Sequence, residues 1–262
     1  MSSWSNIKQT PPKVPSLLDV VAKHEGKVSD KWESFLIEYE SLFSRFQSAP
    51  ITMLEIGIQN GGSLEIWAKY FSNAKAIVGS DINEKCASLK FSDPAISVAV
   101  GDANSDEAFR RITSKATTYD IIIDDGSHKS SDITRTFAKY FPILNSGGIF
   151  IIEDLHCSYW SQFEGGLGDP TSSMELFKAL TDFLNVEHWQ SQSQDDLLEG
   201  FKSKYDVSIG DNILSSLHSV KFLNSLCVIE KSKPKLGPRR VVGTEAIVDS
   251  GPLSLVKPEL NQ

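Results

Sequence analysis

The sequence predicts an α/β fold, a doubly wound and mostly parallel sheet with helices on both faces. Three observations predict it. Between residues 52 and 153, short runs rich in Ile and Val alternate with segments of helical periodicity, the pattern of successive β/α units. These runs need cover on both faces, as parallel strands do. Two of them, "IIIDDGSH" at 121–128 and "IIEDLH" at 151–156, pass directly into carboxylates and a histidine. A doubly wound sheet holds its ligands beyond the carboxyl ends of its strands, where these polar residues fall.

Taken in order, residues 1–15 are polar, hold three prolines and read as a loose leader. In "SDKWESFLIEYESLFSRF", Trp32, Phe35, Leu36, Tyr39, Leu42, Phe43 and Phe46 recur at three- and four-residue steps. That spacing predicts an amphipathic helix over about 30–46, capped near Ser29 or Asp30. A stripe of Trp32, Phe35, Tyr39 and Phe43 is more than one domain is expected to cover, so it points to a homo-oligomer. Strands are then expected at 52–57, 75–80, 96–100, 119–124 and 147–153, and helices at 62–71, 84–90, 105–115 and 129–141. A loop at 154–171 and a helix at 172–185 precede two closing strands in "SVKFLN" and "SLCVIEK". The whole is a seven-stranded Rossmann-like sheet whose last strand is antiparallel. The proline-bearing segment 231–262 reads as a tail or arm, with the basic run "KSKPKLGPRR" solvated. The expected organisation is therefore a helical N-terminal extension (1–49), one α/β domain (50–230) and a tail (231–262).

With 262 residues, 40% of them hydrophobic, the chain can bury a full core. A net charge of −8 opposes a nucleic-acid footprint and favours a small-molecule or glycan substrate. Three cysteines without CxxC spacing read as free thiols in a reducing compartment, against both zinc and a disulfide framework. No apolar run approaches the ~20 residues of a membrane span, and the first residues lack the pattern of a secretory signal. A cytoplasmic location is expected.

The first strand ends in "LEIGIQNGGSLEIW". Gly57 permits a sharp turn, and Gly61 and Gly62 let the backbone pass close to a ligand before a helix begins near Ser63. A dinucleotide fingerprint wants glycine where Gln59 stands, which argues against NAD. Glu55 precedes the turn, Asp81 closes the second strand and Asp102 follows the third. Acids at three successive strand ends suit a ligand with a cationic amine and a ribose, and S-adenosylmethionine carries both.

With these motifs in place the chain resembles the class I S-adenosylmethionine-dependent methyltransferases over roughly residues 50–230. It is most similar to the metal-dependent O-methyltransferases of macrolide and other sugar tailoring, the mycinamicin type, through "EIGIQNGGSLEIW", "IIIDDGSH" and "IIEDLHCSYW". The resemblance implies that Glu55, Gly57, Asp81 and Asp102 contact the cofactor, that Gln59 and Ser63 of the glycine turn join them, and that Asp124 lies near the adenosyl group.

The strands ending at 124 and 153 are expected to be neighbours, ~4.8 Å apart, so Asp125, Glu153 and Asp154 converge past the sheet edge. Carboxylates crowded in this way need a counter-charge, and a hard divalent cation such as Mg²⁺ supplies it. His128, three residues after Asp125, stands beside the same site and titrates in the range of a general base. The resemblance assigns Asp125, Glu153 and Asp154 to the metal and His128, with Asp125, to catalysis. It implies a Mg²⁺-dependent O-methyltransferase acting on a sugar hydroxyl. His156 is open between substrate contact and packing, as are Tyr159, Trp160 and Phe163, while His24, His188 and His218 read as structural. Two other readings stand beside this one. Relatives described as antibiotic hydroxylases share the motifs, and a non-catalytic cofactor-binding scaffold would keep the fold; Asp124 and Asp125 alone would serve as helix caps.

Overall fold

The computed structural model describes residues 14–189 and 194–232. Its single sheet has seven strands in the order β3-β2-β1-β4-β5-β7-β6. They are β1 (Thr52–Ile56), β2 (Ala76–Asp81), β3 (Ile96–Val100), β4 (Tyr119–Asp124), β5 (Leu144–Ile152), β6 (Leu217–Leu223) and β7 (Leu226–Lys231). Strands β1 to β5 are parallel, and β7 enters antiparallel between β5 and β6. The two-residue period of the strands sorts their side chains into two layers. Met53, Ile77, Ile121, Ile123, Ile149 and Ile151 face one layer; Leu54, Val78, Ile122, Phe150 and Ile152 face the other.

Helices α1 (Leu17–Ala22), α2 (Glu33–Phe43) and α3 (Gly62–Tyr70) cover the first face. Helices α4 (Asp106–Thr113), α5 (Ser130–Tyr140), α6 (Ser173–Phe183), α7 (Gln194–Tyr205) and α8 (Asp211–Leu214) cover the second. The aromatic stripe of α2 is core: Phe35, Tyr39 and Phe43 are buried, and Phe43 lies 4.8 Å from Tyr39, 5.6 Å from Trp67 and 5.4 Å from Phe71 between ring centroids. Each such pair contributes about 0.5–1.5 kcal/mol beyond area burial. Helix α3 thus covers what pointed to a homo-oligomer, and of the four residues only Trp32 remains exposed, at 61%.

Several elements differ from the sequence expectation for physical reasons. Helix α2 begins at Glu33 with Trp32 as N-cap and no side-chain cap, two or three residues later than expected. The preceding chain is held extended because Lys31 reaches into the sheet's carboxyl edge. The helix expected at 84–90 is a 3₁₀ turn over Glu84–Ser88. Its Cys86 thiol donates to the Gln59 carbonyl at 3.2 Å, tying the segment under the glycine turn. The 154–171 loop contains two 3₁₀ turns, Leu155–Tyr159 and Ser161–Phe163. Strand β5 starts at Leu144, three residues early, and α7 and α8 lie in a stretch for which no element was expected. Most of the expected leader, and the tail with its basic run beyond Ser232, fall outside the described residues. Among the described residues no helix is long and apolar enough to cross a membrane.

The turn after β1 fixes how closely β1 and β4 approach at their tips. Gly57 has φ +87°, and a Cβ there would sit 2.0 Å from the carbonyl oxygen of Asp125. Both the left-handed backbone and the contact exclude a side chain. Gly57→Ala is expected to lose at least ~2 kcal/mol of stability from strain and overpacking together, read by urea denaturation. A variant as stable as the wild type would show that the two tips have room to separate.

Candidate active site

The chain leaves β1 toward β2 and leaves β4 toward β5, so the sheet order reverses between β1 and β4. A crevice opens at such a switch point. Here it is a cavity of about 610 Å³ bordered by Gly57, Gln59, Ser80, Asp81, Asp102 and Asp124, among others. Asp81 organises its near wall. One of its oxygens accepts from the N–H groups of Ile58 and Gln59 at 3.0 and 2.9 Å, and the other from Asn83 N–H at 2.8 Å. Asp102 accepts from Asn104 N–H at 2.9 Å.

Two of the expected cofactor contacts stand behind this wall rather than in it. Glu55 is fully buried, and its Oε2 accepts from Ser63 Oγ at 2.6 Å and Trp67 Nε1 at 3.0 Å. The pair Glu55 and Ser63 therefore braces α3 against β1. Among the described residues, three buried side-chain oxygens lack a hydrogen-bond partner: Glu55 Oε1, Ser80 Oγ and Asp124 Oδ2. Buried polar atoms are nearly always satisfied. Ser80 and Asp124 border the cavity, so a ligand bringing hydroxyl and amine donors, as a nucleoside with an amino acid side chain does, fits the wall as built.

The tips of β4 and β5 adjoin. Asp124 pairs with Ile152 in the parallel register, and Glu153 N–H donates to the Asp124 carbonyl at 2.9 Å. This brings Asp125, His128 and Asp154 together: His128 Nε2 is 3.9 Å from Asp125 Oδ1 and 3.9 Å from Asp154 Oδ2. His128 and Asp154 both hold left-handed backbone, φ 58° and 49°, at ~1–2 kcal/mol each for a non-glycine residue. Strain of this kind persists where the surroundings enforce it, and it gathers at functional sites. Trp32 Nε1 donates to Asp154 Oδ1 at 3.0 Å. His156 hydrogen-bonds Ser225 Oγ and packs edge-on against Trp160.

Glu153 lies deeper, on the other side of Asp125. Its Oε1 accepts from Tyr39 OH and from Lys31 Nζ, each at 2.7 Å, and Lys31 Nζ also contacts Asp125 Oδ2 at 2.6 Å and Glu55 Oε1 at 3.1 Å. The last contact is an ion contact off the hydrogen-bonding direction, which is why Glu55 Oε1 remains unpartnered. The acids expected to form one metal set thus divide. Asp125, His128 and Asp154 offer ligand atoms within 4.8 Å of one another on the outer side, and Glu55, Asp125 and Glu153 do so on the inner side, around Lys31. Burial alone would lower the Lys31 ammonium, but Glu153, Glu55 and Asp125 raise it well above its ordinary range. Burial, and then Glu153, pushes Asp125 up against the pull of Lys31. The Asp125 and Asp154 carboxylates are hard oxygen donors that fit a divalent cation of the Mg²⁺ or Mn²⁺ kind, with the His128 imidazole beside them.

Sheet order, glycine turn and strand-tip acids together define a class I S-adenosylmethionine-dependent methyltransferase fold. Within that class the chain is a relative of sugar O-methyltransferases from antibiotic pathways. It is 33% identical over 190 residues to the 8-demethyl-8-alpha-L-rhamnosyl tetracenomycin-C 2'-O-methyltransferase of Streptomyces olivaceus, a match covering 69% of this chain and 48% of that protein. It is 31% identical over 200 residues to the mycinamicin VI 2''-O-methyltransferase of Micromonospora griseorubida, covering 72% and 47%. The structure of MycE methyltransferase from the mycinamycin biosynthetic pathway, in complex with Mg, SAH and mycinamycin VI, shares the fold with a TM-score of 0.68 at 24% identity, over 87% of this chain and 58% of that one. The chain spans about half the length of the curated relatives it matches. No family model matches it.

Asp124 gives a pH test of this wall. Burial pushes its carboxyl up to about 7 from 3.8. The folded state then holds a proton that the unfolded chain releases near pH 4, so this contribution to stability is full below that value and is lost as pH rises to about 7. Relative to Asp124→Asn, which cannot titrate, the wild type is expected to lose on the order of 2 kcal/mol between pH 5 and pH 7.5, read from urea unfolding at both values. Parallel pH profiles for the two proteins would place the Asp124 carboxylate in contact with solvent.

Proposed function

We propose that the protein is an O-methyltransferase that moves the methyl group of S-adenosylmethionine onto a sugar hydroxyl, in a polysaccharide precursor or a glycosylated small molecule, aided by a divalent cation such as Mg²⁺. The observation that carries the reading is His128, whose Nε2 lies 3.9 Å from a carboxylate oxygen of both Asp125 and Asp154, in the cavity that Asp81, Asp102 and Asp124 also line. The O-methyltransferase relatives, and the Mg and SAH in the MycE complex, support the same assignment. When bound, the cation supplies Lewis acidity that eases removal of a proton from a hydroxyl that is otherwise a poor nucleophile. Asp125 and Asp154 are the residues that would hold it, with Glu153 behind them.

The hydroxyl oxygen bonds to the methyl carbon as the carbon–sulfur bond breaks and its electron pair remains on sulfur. The hydroxyl proton passes to His128 Nε2. Burial holds the His128 pKa below its ordinary 6.5 against the opposing pull of Asp154, so the ring presents a free lone pair at pH 7. Asp81 and Asp102, which border the cavity, would accept from the cofactor's ribose and amine groups. Trp32 is exposed where it borders the cavity, and Trp160 is half exposed beside His156 and Phe163; both would offer aromatic surface to a sugar ring.

Labelled S-adenosylmethionine offered with Mg²⁺ and a panel of nucleotide sugars, glycans and glycosylated macrolides is expected to label an acceptor oxygen. EDTA is expected to silence the transfer and Mg²⁺ to restore it. His128→Ala should bind S-adenosylhomocysteine normally yet lose ~10²–10⁴ in kcat, the range of a general base. A rate indifferent to cation removal would leave the acids structural, and product formation that consumed an oxidant would favour the hydroxylase reading. Calorimetric binding of NAD in place of S-adenosylhomocysteine would refute the cofactor assignment.

A further inference from the structure

We propose that Lys31 is a built-in cation that fills the inner half of the carboxylate cluster and confines an exchangeable divalent cation to the outer half. It is a positioning residue for the metal, and the inference rests on the reading above that the protein takes one. Glu55, Asp125, Glu153 and Asp154 bring four carboxylates to one sheet edge. The inner three present oxygens within 4.8 Å of one another, a spacing that suits an ion as well as the outer set does. Lys31 Nζ stands among these three at 2.6, 2.7 and 3.1 Å, and its side chain is only 6% exposed. A divalent ion placed there would meet the ammonium at contact distance, so it is driven outward.

Lys31 also decides which oxygens face outward. Asp125 gives Oδ2 to Lys31 and turns Oδ1 toward His128. The neighbouring Trp32 does the same for Asp154, taking Oδ1 and leaving Oδ2 toward His128. The segment carrying both residues is tied down at each end. Lys27 pairs with Glu65 at 2.6 Å, and Tyr39 in α2 donates to Glu153. A lysine serving only to dock α2 would need one carboxylate, whereas this one touches all three of the inner set.

The probe is Mn²⁺ alone, titrated calorimetrically into the full chain. Wild-type protein is expected to bind one ion, and Asp154→Asn to bind it at least tenfold more weakly. Adding Lys31→Ala to Asp154→Asn is expected to restore binding of one ion, now in the inner set, because the seat has been vacated. Lys31→Arg in the same background keeps a fixed charge and should not restore it. Binding of S-adenosylhomocysteine confirms that each variant is folded; should the alanine variant not fold, Lys31→Gln removes the charge, keeps the stem and carries the same expectation. A folded double variant that binds Mn²⁺ no better than Asp154→Asn overturns the inference while wild-type binding stands. A wild type that takes no Mn²⁺ overturns the metal reading instead, and with no binding by any variant both fall.

Discussion

Four carboxylates at the tips of adjacent strands repel one another, and the ammonium of Lys31 is what allows three of them to stand within 4.8 Å. Much else depends on that contact. It pulls the chain before α2 across the carboxyl edge of the sheet, sets where the helix begins, and places Trp32 over Asp154. It also joins the N-terminal layer to the chemistry, because Tyr39, a core aromatic on α2, donates to the same Glu153 oxygen. A buried ion pair is weak evidence for stability, since desolvation offsets much of the attraction, but it is a strong determinant of arrangement. Here the arrangement is the site.

The second constraint is backbone geometry. Gly57, His128 and Asp154 all hold positive φ, and each sits at the end of a strand or just beyond it. The glycine accepts this freely and lets the β1 turn press against Asp125; the other two bear strain, which points their side chains at a common space. Burial raises Asp125 and Glu153, and neighbouring carboxylates add to it against the pull of Lys31. Four carboxylates face one ammonium in the cluster, and a divalent ion on the outer side, as proposed, would offset the excess negative charge.

The aromatic stripe shows how the same pattern can serve two ends. Its spacing was read as too broad for one domain, but Trp67 and Phe71 of the next β/α unit supply the matching surface within the chain. Of the stripe named above, Trp32 stays exposed, and it borders the cavity.

Short-range chemistry was legible in the sequence. Runs of Ile and Val that need cover on both faces, a glycine turn and acids at strand tips define the sheet, its parallel order and the edge that carries the site, because each depends on residues a few positions apart. His128 with Asp125, and Glu153 with Asp154, could be read for the same reason. The division of those acids into an inner and an outer set could not. It turns on Lys31, whose partners lie 94 and 122 residues away and whose local context is that of any lysine ahead of a helix. Likewise, Glu55 and Ser63 looked like cofactor contacts beside the turn, but the packing of α3 folds them into a buried pair. Only the tertiary structure decides such cases, because a charged side chain takes its role from the charges that the fold brings within 3–4 Å of it, and those come from anywhere in the chain.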